Sequence, residues 1–317
     1  MDNEHHISVI DPISPAIERV KDLLFRPFDL GQWFIIGFCA FLANLNQGGF
    51  LGGLRGAVNI SDVREREAFS ETISQAEEYI NANLDWIVPL AIIIITSSIA
   101  LWILFLWLSS RGKFMFLYCV AEKRSEVKVP WNKHRQQGNS LCIFRLIIGI
   151  IAAVCIGLLI VPVVFSAILL WEGDMAMLPG ILAIVFFGLI ALAAAIIFAL
   201  IGKFTRDFVV PIMYLRGCRA AEGWRIFLPM LKARAGLFAL YILFYILILF
   251  AIGIIVNVAI VCTCCCGACL LSIPYIGTVL MLPILVFERS YSLYFFSQFG
   301  PGWDVFNVPE VVPLSAL

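Results

Sequence analysis

The chain has 317 residues, of which 62% are hydrophobic and 14% are charged, and its formal net charge is zero at pH 7. Soluble domains contain roughly 45–50% apolar and about 25% charged residues, so this composition excludes an ordinary soluble domain. Mean hydropathy is +0.96, and several apolar runs approach or exceed the ~20 residues that a helix needs to cross a bilayer. Because backbone groups in hydrocarbon must pair within their own segment, we predict an all-α, polytopic membrane protein.

Six apolar runs are predicted to be transmembrane helices. They cover residues 30–46, 86–108, 141–168, 175–201, 237–262 and 268–287. The first run is short, so whether it crosses the whole bilayer is left open. Residues 48–85, which begin with a glycine cluster and become acidic, are predicted to form an external segment. In the third run, Gly149, Ala153 and Gly157 form a stripe of small residues that is predicted to let helices approach closely.

The distribution of Lys and Arg predicts the orientation of the chain. Seven of these residues lie between the second and third runs and seven between the fourth and fifth, whereas the connections after the third and fifth runs have none. Positively charged connections remain in the cytoplasm. We therefore predict cytoplasmic loops at 109–140 and 202–236, with both termini on the same side.

Two sequence signatures recur along the chain. A basic segment, a glycine and an apolar run follow one another at Gly31, Gly138 and Gly236. Basic residues also adjoin an aromatic run in the segments RGKFMFLY, IGKFTRDFVV and FERSYSLYFF. We predict three copies of one unit, an interfacial amphipathic helix followed by a helical hairpin. The units form a single membrane domain over residues 1–317 and cover about 12–108, 109–201 and 202–299, before a tail at 300–317.

Basic residues of the amphipathic helices are candidates for contact with lipid. In the third unit, Trp224 and Phe227 share an apolar face, and the neighbouring basic residues are placed to meet lipid phosphates. One further cation lies inside the third apolar run, from which its long side chain can reach the headgroups. The candidate lipid-interface residues are Arg19, Arg26, Arg145, Arg225, Lys232 and Arg234. Two interpretations stay open, because the same helices can either recognise anionic lipid or only brace the hairpins.

A cysteine cluster follows the fifth run, in VCTCCCGACL. If the helix continued through it, Cys262, Cys265, Cys266 and Cys269 would share one face, and their thiolates would suit Zn(II) or Cu(I). A disulfide is a second interpretation, and packing of small apolar thiols in a tight turn is the third and the favoured one. We therefore expect no bound metal and no cofactor.

The remaining chemistry is sparse. The sequence contains no HExxH, GxSxG or GxxxxGK[ST] motif, and no Asp or Glu lies well inside any of the six predicted runs. We therefore expect a protein that is not an enzyme and does not bind nucleic acid. The first functional hypothesis is a scaffold or accessory module that contacts anionic lipid or a protein partner, with a homo-oligomer as a further option. The alternative is an uncoupled transporter or lipid-translocating protein for an amphipathic substrate.

Three segments carry a family resemblance: PFDLGQWFIIGFCAFLA, DFVVPIMYLRGCRAAEGWRIFLPMLKARAGLFALY and FERSYSLYFFSQFGPGWDVF. Together they resemble an uncharacterised family of bacterial and archaeal multi-span proteins, a domain of unknown function. The chain is also distantly similar to the membrane domain of glycerophosphodiester phosphodiesterases. The resemblance implies about six helices in the cytoplasmic (inner) membrane of a prokaryote, and it carries no catalytic motif.

Overall fold

The computed structural model describes residues 7–45, 83–172, 177–263 and 266–307. Within these ranges the secondary structure is helical and includes no β-strand, which confirms the predicted all-α class. The predicted external segment at 48–85 lies almost wholly outside the described residues, as does the predicted tail from residue 308 onwards.

Twelve α-helices follow one another in the described residues. They are α1 (Ile13–Leu24), α2 (Leu30–Asn44), α3 (Leu84–Glu122), α4 (Lys128–Lys133), α5 (Arg135–Glu172), α6 (Met177–Phe204), α7 (Val210–Arg216), α8 (Ala220–Ala233), α9 (Ala235–Cys262), α10 (Cys266–Ser272), α11 (Pro274–Leu280) and α12 (Leu282–Ser297). A π-helical turn at Thr205–Val209, called the π turn below, joins α6 to α7. A 3₁₀ turn at Pro301–Trp303 follows α12.

Four helical segments in the described part of the chain are long and apolar enough to cross a membrane. They are α3, α5, α9 and the continuous helix formed by α6, the π turn and α7. The pair α11 and α12 makes a fifth candidate, although its two helices are bent by 62°. Helix α2 has 15 residues and is about 22 Å long, which is shorter than a hydrocarbon core of about 30 Å. The predicted number of six crossings therefore stays a prediction.

Two prolines divide the sixth predicted run. Pro274 begins α11, and the residue before it, Ile273, has an extended backbone with φ −79° and ψ 114°, because the proline ring disfavours helical angles there. Pro283 lies in the first turn of α12, where its missing N–H removes no helical hydrogen bond. The run predicted at 268–287 is accordingly shared among α10, α11 and α12.

The charged ends of the long helices gather around a compact aromatic core, which we call the base. The base comprises α1, α2, α4, α7, α8, α12, the π turn, α3 from Leu106 onwards and the first turns of α5 and α9. At its centre lies Phe208, whose ring centroid is 5.2 Å from those of Phe227, Phe238 and Tyr241. All four rings are fully buried, and each contributes about 1.5–3 kcal/mol of hydrophobic stabilisation.

Away from the base, α3, α5, α6 and α9 expose many apolar side chains, although α5 and α6 also pack against each other. Ile93, Leu158, Leu189 and Phe250 represent the four helices, and each is at least 60% exposed. A helix that is apolar on every side is typical of a membrane span. The outer halves of these helices are therefore compatible with lipid contact.

Helix α1 is attached to the C-terminal end of α3. The Arg19 guanidinium donates to the carbonyl of Val120 at 2.7 and 3.0 Å and also to that of Ala121, a favourable position for a cation because the last carbonyls of a helix have no intrahelical donor. Lys123 and Asp22 form a second link at 2.8 Å. These contacts fix α1 against the C-terminal end of α3.

A short helix precedes each of the three predicted repeat glycines. Gly31 and Gly236 are the second residues of α2 and α9, and Gly138 is the fourth residue of α5. Helices α1, α4 and α8 come directly before them. This order is the one that the repeat predicts, while the equivalence of the three units stays a prediction.

Candidate functional site

Charged residues of the three aromatic signatures meet inside the base. The set consists of Lys113 from α3, Lys203 from α6, Arg206 and Asp207 from the π turn, and Glu288 and Arg289 from α12. Together with Ala43 and Asn44 of α2, they line a cavity of about 40 Å³, which we call the base cavity.

The π turn attaches α12 to the edge of this cavity. Its defining bond runs from the Val210 N–H to the Thr205 carbonyl, five residues back. The next bond of that pattern would join residue 211 to the Arg206 carbonyl, but Pro211 has no N–H to donate. The Arg289 guanidinium donates to the Arg206 carbonyl instead, at 2.7 Å. Because Pro211 cannot donate to the Arg206 carbonyl, that carbonyl is available to accept from Arg289 and to orient its side chain.

Asp207 is the most heavily engaged group of the site, and its side chain is 4% exposed. One carboxylate oxygen lies 2.6 Å from Lys203 Nζ and accepts from the Tyr241 hydroxyl at 2.9 Å. The other accepts from Arg206 Nε at 3.1 Å. A buried carboxylate is stable only with partners of this kind, and Asp207 has its partners within the chain.

Tyr245 connects the second carboxylate to the same network. Its hydroxyl donates to Glu288 Oε2 at 3.3 Å and accepts from an Arg206 Nη at 3.3 Å. Lys203 Nζ lies 2.9 Å from the centroid of the Tyr245 ring, so the aromatic face adds a cation–π contact. Both carboxylates that line the base cavity are therefore held by neighbouring side chains.

Lys113 stands apart from the other cations. It is 7% exposed, and its ammonium has no hydrogen-bond or ion-pair partner among the residues that the structure describes. Nη2 of Arg289 is also buried without a partner in that part of the chain. Since an ammonium carries three donors and no acceptor, the base cavity presents donors that the described protein groups leave unused.

Arg145 lies inside the base rather than on its outer surface. Its guanidinium donates to the hydroxyls of Ser109 and Ser110, both at 3.3 Å. Ser109 in turn donates to the Ala43 carbonyl at 2.9 Å. This chain of contacts links α5, α3 and α2 beside the base cavity, and contact of Arg145 with lipid stays a prediction.

The other predicted lipid-interface residues lie in two places. Arg225 and Lys232 are exposed on α8, whose opposite face buries Phe227. Arg234 is exposed directly after α8, and its guanidinium carbon lies 5.8 Å from the centroid of the Phe299 ring. Arg26 is also exposed, 3.9 Å from Asp22. Arg19 is directed towards the end of α3, as described above, and partial burial lowers the pKa of its guanidinium.

The cysteine cluster is only partly described. Helix α9 ends at Cys262 and α10 begins at Cys266, so the single continuous helix on which the common face depended is interrupted. Cys262 and Cys269 are free and exposed, while Cys265 and the Cys266 side chain lie outside the described part of the structure. Among the described side chains, no group of three His, Cys, Asp or Glu is placed to hold a metal ion.

The base cavity was missed by the sequence analysis because the predicted runs end too early. The second run ends at residue 108 and the fourth at 201, whereas the helices continue to Glu122 and Arg216. The charged signatures therefore lie within helices and not in connecting loops. The signal that would have found the site is the repeated triplet Gly-Lys-Phe, at 112–114 and 202–204.

An apolar groove lies on the other side of α2. It has a volume of about 1070 Å³ and is lined mainly by apolar side chains of α2, α3 and α4, among them Phe38, Trp102 and Trp131. Leu42 lines this groove, while its neighbour Ala43 lines the base cavity. Helix α2 therefore separates an apolar space from a cationic one.

Most of the chain matches one known protein family. Residues 7–282 match the model of a family of unknown function, DUF7544, which supports the predicted relationship to an uncharacterised family. No curated protein and no solved structure matches the chain, and the distant similarity to the membrane domain of glycerophosphodiester phosphodiesterases stays a prediction. Because the match spans most of the sequence, the chain belongs to the family of unknown function DUF7544.

Proposed function

We propose that this protein is a non-enzymatic integral membrane module that holds anionic lipid against the outer surface of its base. The observation that carries the proposal is the orientation of α8. Its buried Phe227 packs on the aromatic core, while Arg225 and Lys232 are exposed on the opposite face and Arg234 is exposed directly after the helix. An amphipathic helix with basic residues on its free face attracts anionic headgroups, at about 1 kcal/mol per Lys or Arg near the surface.

The rest of the base supports this role. Arg124, Lys133, Arg135, Arg216 and Arg219 are also exposed around it. The long helices leave the same base with many apolar side chains exposed. We propose that the base lies at the cytoplasmic face of a prokaryotic inner membrane, with both termini on that face, since the positive charges concentrate there.

Lipid retention tests the proposal. The full chain is extracted in mild detergent from membranes that contain phosphatidylglycerol and phosphatidylethanolamine, and the bound lipids are measured by native mass spectrometry. We expect enrichment of phosphatidylglycerol over its bulk fraction. The triple variant Arg225→Gln, Lys232→Gln, Arg234→Gln is expected to lower the affinity for that lipid about tenfold or more, because three favourable charges are removed.

A charge-preserving variant provides the matched control. Arg225→Lys, Lys232→Arg, Arg234→Lys changes the shapes of the same side chains but keeps their charges, so it should retain the enrichment. Bound lipids in the bulk proportion for the wild-type chain would contradict the proposal. Equal loss in both triple variants would show that charge is not what holds the lipid.

A second candidate function is uncoupled translocation of an amphipathic anion. The observation that favours it is the position of α2 between the apolar groove and the base cavity, which places an apolar and a cationic space side by side. Flux of a fluorescent short-chain phosphatidylglycerol across proteoliposomes separates the two functions. Saturable flux above that of protein-free vesicles supports translocation, whereas lipid retention without flux supports the module.

A further inference from the structure

The base cavity contains more buried positive charge than its own carboxylates can pair. Lys113, Lys203, Arg206 and Arg289 line it, against Asp207 and Glu288. Asp207 is engaged by Lys203, Arg206 and Tyr241, and Glu288 accepts from Tyr245. A buried cation without a partner costs several kcal/mol. Lys113 and one nitrogen of Arg289 have no partner among the described residues, which indicates a negative ligand.

The unused donors identify where that ligand would lie. Lys113, at 7% exposure, has no partner among the described residues, and its side chain lines the cavity. Arg289 uses Nη1 for the Arg206 carbonyl and leaves Nη2 buried and unpartnered. The carbonyl bond fixes one side of the guanidinium, and the second nitrogen is shielded from solvent with no acceptor among the described residues. An ammonium and a guanidinium that line one cavity are suitable donors for a phosphate.

The size of the cavity limits the ligand. Its volume of about 40 Å³ corresponds to roughly three water-sized spheres. A single phosphate group is of this scale, whereas a nucleotide or a whole lipid headgroup with its substituents is larger. A phosphate monoester also carries up to two negative charges near neutral pH, which suits the two cations Lys113 and Arg289.

We infer that the base cavity is a binding site for one phosphate group, held by Lys113 and the free nitrogen of Arg289. The site is independent of the proposed lipid surface, because it uses buried residues of α3 and α12 and none of the exposed cations of α8. The phosphate belongs either to a free anion or to a lipid with a terminal phosphate.

Thermal unfolding of the full chain in detergent tests the site. The probes are inorganic phosphate, and dihexanoyl phosphatidic acid below its micellar concentration, each compared with chloride at equal ionic strength. We expect a concentration-dependent rise in the unfolding temperature with at least one probe. Stabilisation by inorganic phosphate identifies a free-anion site, and stabilisation by the short-chain lipid alone identifies a lipid phosphate.

Lys113→Met separates a ligand site from a merely structural lysine. Methionine has a similar length but no charge, so the variant should raise the apparent Kd of the effective probe about tenfold or more. It should also unfold at a higher temperature than the wild-type chain without ligand, because an unpaired buried charge is removed. Lys21→Met, at an exposed position of α1, is the matched control and should leave the probe affinity unchanged.

A second variant covers the case in which Lys113→Met does not fold. Arg289→Lys keeps one positive charge and a donor for the Arg206 carbonyl. It loses the guanidinium group, and with it the second nitrogen donor. It should weaken the response to the effective probe while the chain stays folded. The inference is overturned if neither probe stabilises the wild-type chain, or if a folded Lys113→Met or Arg289→Lys variant responds to the probe as the wild type does.

Discussion

His134 is a buried titratable residue at the end of α4. It is 6% exposed, and its ring lies between those of Phe114 and Tyr214, with centroid distances of 5.9 and 4.8 Å. Neither ring nitrogen has a hydrogen-bond partner in the described part of the chain. Burial, reinforced by the charge of Lys133, lowers the pKa of His134 to about 4. The neutral ring is therefore the form that the base accommodates.

This burial predicts that acid destabilises the base. In the unfolded chain the histidine pKa is near 6.5, so its contribution to stability is fully present above that pH and is lost as pH falls towards 4. We expect the free energy of unfolding to be about 2 kcal/mol lower at pH 5 than at pH 8 from this residue alone. The measurement is denaturant unfolding of the purified chain in detergent at pH 5 and at pH 8.

His134→Phe provides the control for the acid effect, because phenylalanine keeps the stacked ring and cannot bind a proton. The variant should lose most of the difference between pH 5 and pH 8. An unchanged difference would show that other groups cause the acid sensitivity.

Single residues differ in how far the sequence revealed their roles. The embedded charge of Arg145 was evident from its place within an apolar run, but its Ser109 and Ser110 partners lie on another helix. Lys113 gave no such signal, because its environment is formed by α2, α6 and α12 from distant parts of the chain. Local sequence patterns do not report contacts of this range.

At the scale of elements, the close approach of α2 and α3 depends on Gly112. A Cβ atom at this position would lie 2.6 Å from the backbone nitrogen of Ala43 and 2.6 Å from the backbone carbonyl carbon of Leu42. Backbone atoms cannot move aside as the end of a flexible side chain can. The Ser109 hydrogen bond to the Ala43 carbonyl lies one turn away and depends on the same proximity.

We predict that Gly112→Ala destabilises the protein by about 1–3 kcal/mol or more through overpacking. Gly149→Ala is the matched control, since no atom of another described element lies within 4 Å of a Cβ at that helical position, and it should be neutral or slightly stabilising. Denaturant unfolding of both variants in detergent checks the difference. A Gly112→Ala variant as stable as Gly149→Ala would contradict the packing described here.

Gly112 and Gly149 show which helix contacts a sequence pattern predicts and which it does not. Spacing by four predicted that Gly149 and Gly157 belong to a stripe for close helix approach, but in the described part of the structure no atom of another element lies within 4 Å of a Cβ at either position. The close approach occurs at Gly112, inside a signature that was interpreted as a membrane boundary. Small-residue spacing indicates that a helix has room for a neighbour, and only the tertiary arrangement decides where the neighbour lies.

At the scale of the molecule, composition was sufficient to predict helices and apolar spans. The arrangement of charge within the base was not predictable, because it depends on helices that continue past their apolar segments. Helix α3 runs from an exposed apolar half into a buried half that contains Lys113. A hydropathy pattern ends at that transition, whereas backbone hydrogen bonding continues through it.

The charge distribution predicts a specific membrane topology. Reporter fusions after Gly138 and after Gly173 should lie in opposite compartments, with the first in the cytoplasm, because the basic connection precedes the third apolar run. Alkaline phosphatase and fluorescent protein fusions measure the two locations. Equal signals at both positions would contradict the orientation with both termini in the cytoplasm.

The central claim is that the apolar halves of the long helices lie in the bilayer while the cation-rich base lies at its surface. The most direct test is fluorescence quenching in proteoliposomes. A genetically encoded fluorescent amino acid replaces either Leu189 or Arg225, and its fluorescence is measured with quenchers in the lipid or in the water. We predict that Leu189, 60% exposed on α6, is quenched by lipids brominated on their acyl chains and protected from aqueous iodide. The exposed Arg225 position should be quenched by iodide. Iodide quenching at Leu189 as strong as that at Arg225 would contradict the account.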